Sequence, residues 1–164
     1  MSCDLLPTDV PGPHYQGDIF DIINDGWDLA VFHPPCTYLS VSGMHWTTRG
    51  LRDPQLTEDA LAFVRKLGRA PIERIAIENP ISVISSRIRK PDQIIHPWMF
   101  GHGERKATCL WLKNLPKLTP TNVVEGREQR IWKLPPSKDR WKIRSETYLG
   151  IAEAMAEQWG SIPV

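Results

Sequence analysis

Two short stretches carry residues able to do chemistry. Phe32–Gly43 reads FHPPCTYLSVSG and sets Cys36 after a double proline, at the end of an apolar run. IENP sets Glu78 and Asn79 at the end of another apolar run, 42 positions after the cysteine. A thiol near neutral pH is the best nucleophile among the side chains and also a good leaving group. A buried carboxyl group tends to keep its proton and can donate it. A lone cysteine after a strand is more often an inert filler. His33-x-x-Cys36, with His102 or Cys109, has zinc-ligand character, but without a Cys-x-x-Cys pair no metal is expected. Ser40 and Ser42 suit turn hydrogen bonds better than nucleophilic roles.

The elements needed to position these residues are legible around them. WDLAVFH is a short apolar run closed by Pro34–Pro35, with the length and composition of a buried parallel strand. MHWTTRGLRDPQ reads as a loop. LTEDALAFVRKLGR predicts a helix capped by Thr57, with Leu61, Phe63, Val64 and Leu67 at helical spacing. RIAIE predicts a second buried strand stopped by Asn79–Pro80. Strand, helix, strand makes a βαβ unit, and chemistry in parallel sheets gathers beyond the carboxyl ends of the strands. Cys36 and Glu78 stand at two such ends. GDIFDIIND reads as a short strand and turn, residues 81–107 as mostly loop with one helical turn, and TCLWL as a third strand. SETYLGIAEAMAEQW reads as a closing helix capped by Ser145. Residues 1–16 read as an irregular arm and 113–144 as a basic irregular insertion in a single domain of 164 residues.

PPCTYLSVSG resembles the catalytic loop of the DNA cytosine-C5 methyltransferase family, through Pro35, Cys36, Ser40, Ser42 and Gly43. IENP resembles its Glu-Asn-Val element. GDIFDII is similar to its Gly-Asp element, and more loosely FGHGERKATCLWL and RSETYLGIAEAMA resemble a later strand and the final helix. The order of all five agrees, over residues 17 to about 158. The resemblance implies an α/β fold in three layers with a mostly parallel sheet, a truncated Rossmann-like methyltransferase. It implies Cys36 as nucleophile on pyrimidine C6, Glu78 as partner of N3, and Asn79 and Arg105 orienting the base. Gly43 is expected to adopt a backbone conformation other residues resist. S-adenosylmethionine is the implied cofactor, held by Asp18, Pro35, Ser145 and Thr147. Ser40, Ser42, Lys106, Trp141 and Arg144 are expected against substrate.

The chain departs from that family in two places. The Phe-x-Gly-x-Gly loop for the cofactor is not found in residues 1–16, and only 113–144 stands where a target-recognition region belongs. Such a shortened form looks phage-like. The alternatives are an enzyme acting on a free pyrimidine nucleotide without S-adenosylmethionine, and a non-catalytic nucleotide- or nucleic-acid-binding protein. Charge bears on the partner. Residues 84–144 hold 14 Lys/Arg against 5 Asp/Glu, with Trp98, Trp132 and Trp141 interleaved. That pattern suits phosphates and bases, so DNA or a pyrimidine nucleotide is the expected partner, and equally suits a solvated face. Three cysteines, no run of 18 apolar residues and no secretory N-terminus predict a cytoplasmic protein with no membrane span. The shortened sheet edge is expected to be completed by a second copy in a homodimer.

Overall fold

The computed structural model describes residues 1–138 and 140–162, and for Trp132 and Trp141 the backbone alone. The chain is mixed α/β. Its arm is not irregular: β1 (Ser2–Asp4) and β2 (His14–Gln16) pair in parallel as a small sheet. GDIFDII forms no strand. Ile19–Asp21 is a 3-10 turn whose first N–H groups need an acceptor, and Asp18 Oδ1 accepts from the Phe20 N–H at 2.9 Å. Then come β3 (Leu29–Phe32), α1 (Val41–Thr48), α2 (Gln55–Gly68), β4 (Arg74–Pro80), α3 (Ile84–Arg87), β5 (Gln93–Ile95), β6 (Thr108–Lys113), α4 (Arg130–Lys133), α5 (Arg140–Ser145) and α6 (Leu149–Gly160).

The main sheet runs β3-β4-β6-β5. β3 and β4 are parallel, as the βαβ reading requires, with Phe32 opposite Ile77. β6 is antiparallel to both β4 and β5, so the sheet is mixed rather than mostly parallel. Two apolar clusters lie on its two faces. Ile75 and Ile77 pack with Leu61, Val64 and Leu67 of α2. Ala76 and Leu110 pack with Ile151, Ala154, Met155 and Trp159 of α6. The alternation along β4 that serves both clusters is the ordinary consequence of the strand's two-residue period.

Several local readings are corrected. Residues 41–48 are helical because Ser40 caps them, its Oγ accepting from the Gly43 N–H at 3.2 Å. Thr57 does not cap α2. It is buried in the first turns and donates to the Tyr38 carbonyl at 3.1 Å, while Asp53 accepts from the Gln55 N–H. β5 forms inside the stretch read as loop. The basic insertion is partly helical, through α4 and α5, and its first residue, Lys113, ends β6. Ser145 ends α5 instead of starting α6, and Tyr148 stands at the N-cap position of α6. Gly43 has no positive φ. Its requirement is close approach: a Cβ there would collide with the Thr37 carbonyl oxygen.

Candidate active site

β3 and β4 are parallel, so their carboxyl ends lie at one edge of the sheet. β6 is antiparallel and starts there, with Thr108 opposite Pro80. The loop 33–40, Glu78–Pro80 and the approach to β6 through Arg105 and Lys106 therefore converge. One side chain, that of Asn79, and the two main-chain hydrogen bonds of the Ser40–Ser82 β-bridge fasten the cysteine loop to the end of β4 and the turn after it. Asn79 is 1% exposed, and its Nδ2 donates to the Pro34 carbonyl at 2.8 Å. Ser40 bridges Ser82, the Val41 N–H reaches Ile81 O at 3.3 Å, and the Val83 N–H reaches Leu39 O at 2.9 Å. Arg52 donates to Thr37 O at 2.9 Å and stacks over Tyr38. Pro34 is buried, whereas Cys36 is exposed and in no disulfide, on this fastened turn.

Glu78 is mostly buried, and its Oε2 lies 2.8 Å from His33 Nδ1. The contact follows from register. With Phe32 opposite Ile77, residues 33 and 78 are neighbours on the same face. The sequence reading treated His33 only as a companion of Cys36 in a zinc set, and missed it as the partner of the carboxylate. Strand register was the available signal. Cys109 lies in the core, with its thiol pushed up by burial first and then by the charge of Glu78. Among the described residues no group of three His, Cys, Asp or Glu could hold a metal ion.

Lys106 Nζ donates to the Arg144 carbonyl at 3.0 Å, so these two residues meet. Arg105 is exposed, and its main-chain N–H donates to Glu128 O at 2.7 Å. Burial, then Arg105 and Arg127, hold the His96 imidazole below its usual range. Trp98 stacks with His96, and the Arg127 guanidinium lies over its ring at 3.9 Å from the centroid. Trp141 lies in α5, with its side chain outside the described residues. Ser42 Oγ is 3.2 Å from Ser40 Oγ. On α1 the exposed positions Val41, Ser42, His45, Trp46 and Arg49 recur at helical spacing, so one face beside the cysteine loop is open to solvent. Trp46 and Arg49 were not singled out by sequence, because the segment reads as a loop.

Glu104 is fully buried. Its Oε2 meets Arg130 Nε at 3.2 Å, and its Oε1 has no hydrogen-bond partner among the described residues. Nearby, burial and then the Glu104 charge push the Tyr148 phenol up to about 12. The unfolded phenol ionises near 10, so above that pH the folded state holds the extra proton and stability falls as pH rises toward 12. Urea midpoints at pH 9 and pH 11 should differ less in Tyr148→Phe than in the native chain.

Asp18 and Pro35 line one cavity of about 600 Å³ beside β3, whereas Ser145 and Thr147 are exposed elsewhere and do not. The residues present do not fit S-adenosylmethionine. One oxygen of Asp18 is occupied as a cap. The one glycine lining the cavity, Gly17, faces the Tyr15 ring, where a Cβ would strike the side chain, so it offers no open backbone cradle. Among the described residues no helix is long and apolar enough to cross a membrane. Comparison with protein-family models, with curated proteins and with solved structures finds no match to this chain.

Proposed function

We propose that this chain adds the Cys36 thiolate to C6 of a cytosine ring in DNA, on a shortened three-layer, Rossmann-like scaffold of the methyltransferase type. The observation that carries the reading is the register that sets Glu78 beside His33 at the strand end from which the Cys36 loop departs. In the step, the Sγ–C6 bond forms, the C5=C6 pair shifts into a C4=C5 bond, and the C4=N3 pair moves onto N3, which takes a proton from Glu78. C5 then takes a proton from water and gives its original one to water. As the C6–Sγ bond breaks and the thiolate leaves, C5=C6 and C4=N3 reform and N3 returns its proton to Glu78. His33 holds the Glu78 carboxyl through the 2.8 Å contact. Asn79 fixes the loop through Pro34 rather than touching the base. The α1 face favours a base within a strand over a free nucleotide: Trp46 and Val41 offer stacking area, Arg49 a cation, and that face carries no acid.

The exchange of the C5 proton needs no methyl donor. The poor fit to S-adenosylmethionine favours a second reading, a donor-independent enzyme acting on pyrimidine nucleotides through the same addition. Loss of the C5 proton into deuterated water, followed by mass spectrometry on a cytosine oligonucleotide and on dCMP, tests both. Exchange on the oligonucleotide alone supports the first reading, and exchange on dCMP alone the second. Exchange on neither overturns both. Glu78→Gln should slow exchange by about 10²- to 10⁴-fold, the usual contribution of a positioned acid.

A further inference from the structure

Among the described residues, β3 is an apolar strand with a strand partner on one side only. Leu29–Phe32 reads Leu-Ala-Val-Phe, without a charge or a proline. Its neighbour residues Ile75, Ala76 and Ile77 are buried, while Leu29, Ala30 and Val31 stay partly exposed. Natural sheet edges are usually blunted by lysine, proline or a bulge, and this one is not. The Arg74 N–H donates to Asp28 O at 3.3 Å, so the ladder alternates Asp28, Ala30 and Phe32 toward β4. The main-chain N–H and C=O groups of Leu29 and Val31 therefore face the open side.

That open side is a cavity of about 600 Å³ which follows every residue from Leu29 to Pro35. The four residues of β3 span about 13 Å, and the lining continues along 33–35, so the cavity is a groove that runs the full length of the strand. The arm, through Cys3 and Asp4, and the apolar Ile19 and Trp27 also line it. Among the described residues lining it, Asp4 and Asp18 are the acids, there is no Lys or Arg, and the Met1 α-amino group is the one fixed cation. A second copy would bring the same two acids to the groove.

We propose that the open edge of β3 is a docking groove for an extended strand of a different polypeptide, apolar in the middle and flanked by Lys or Arg. The incoming strand would pair with Leu29 and Val31 and continue the sheet past β3. This inference is independent of the chemistry proposed for Cys36.

The probe is a synthetic peptide of alternating Val and Thr with two Lys at each end, added at millimolar concentration to the full chain. Hydrogen exchange is read at single amides. The Leu29 and Val31 amides should slow by about tenfold when peptide stands tenfold above its dissociation constant, while Ala30 changes little. Val31→Pro removes an N–H on the open side and spares the β4 ladder, so it should abolish the protection. The same peptide N-methylated at alternate residues should also fail, and this control needs no protein variant. Unchanged exchange at Leu29 and Val31 overturns the groove. Equal protection by a Glu-flanked peptide overturns the basic partner. Protection already present in the chain alone, growing with concentration alongside a doubled mass in sedimentation, assigns the edge to a second copy and overturns the different polypeptide.

Discussion

Cys36→Ala is expected to abolish covalent capture of a 5-fluorocytosine oligonucleotide and to leave the fold intact. The thiol is exposed and makes no described side-chain hydrogen bond, so its removal creates no cavity and orphans no buried group. Thermal stability should therefore stay within about 0.5 kcal/mol of the native chain. The loop's rigidity comes from Asn79, Ser82 and Arg52, all of which remain. Gel retention after denaturation reads the adduct, and a melt on the same sample reads stability. Capture that survives the substitution would remove Cys36 from the chemistry. Loss of capture together with a large fall in melting temperature would show that the thiol is a structural residue. Cys36→Ser should behave like the alanine, because a serine hydroxyl keeps its proton near neutral pH and is a far weaker nucleophile than a thiol.

Gly43→Ala should be strongly damaging to the cysteine loop. A Cβ at Gly43 lands on the Thr37 carbonyl oxygen, which belongs to the cysteine loop and is itself held by Arg52. Neither atom is the tip of a flexible side chain, so backbone must move. Overpacking of this kind costs about 1–3 kcal/mol or more, which lowers Tm by several degrees in a chain of this size. Displacing Thr37 also shifts Cys36, so exchange of the cytosine C5 proton should fall even where the protein remains folded. Gly160→Ala is the matched control, because nothing lies within 4 Å of a Cβ there. A Gly43→Ala protein with native melting and native activity would mean that the loop yields freely.

The unit that holds the site was legible in sequence. Apolar runs ended by Pro34–Pro35 and Asn79–Pro80, with an amphipathic helix between them, dictate β3, α2 and a parallel β4. What pattern could not supply was register and direction. The apolar stretch TCLWL reads the same whether its strand runs up or down, and its antiparallel setting came only with the fold. The His33–Glu78 contact needed residue-by-residue pairing for the same reason. α1 escaped notice because its buried face is only Gly43, Met44 and Thr47, too little apolar material to show a period. The α6 start was displaced because Ser145 hydrogen-bonds back to the Lys142 carbonyl and finishes α5.

The stitching between the cysteine turn and the turn after β4 has a consequence for motion. Leu39, Val41, Ile81 and Val83 exchange main-chain bonds across it, and Asn79 anchors Pro34 from within the sheet. Neither turn can fray alone, since each loses its partners when the other leaves. The two therefore open as one cooperative unit, and the thiol keeps its aim for as long as the parallel strand pair beneath it survives.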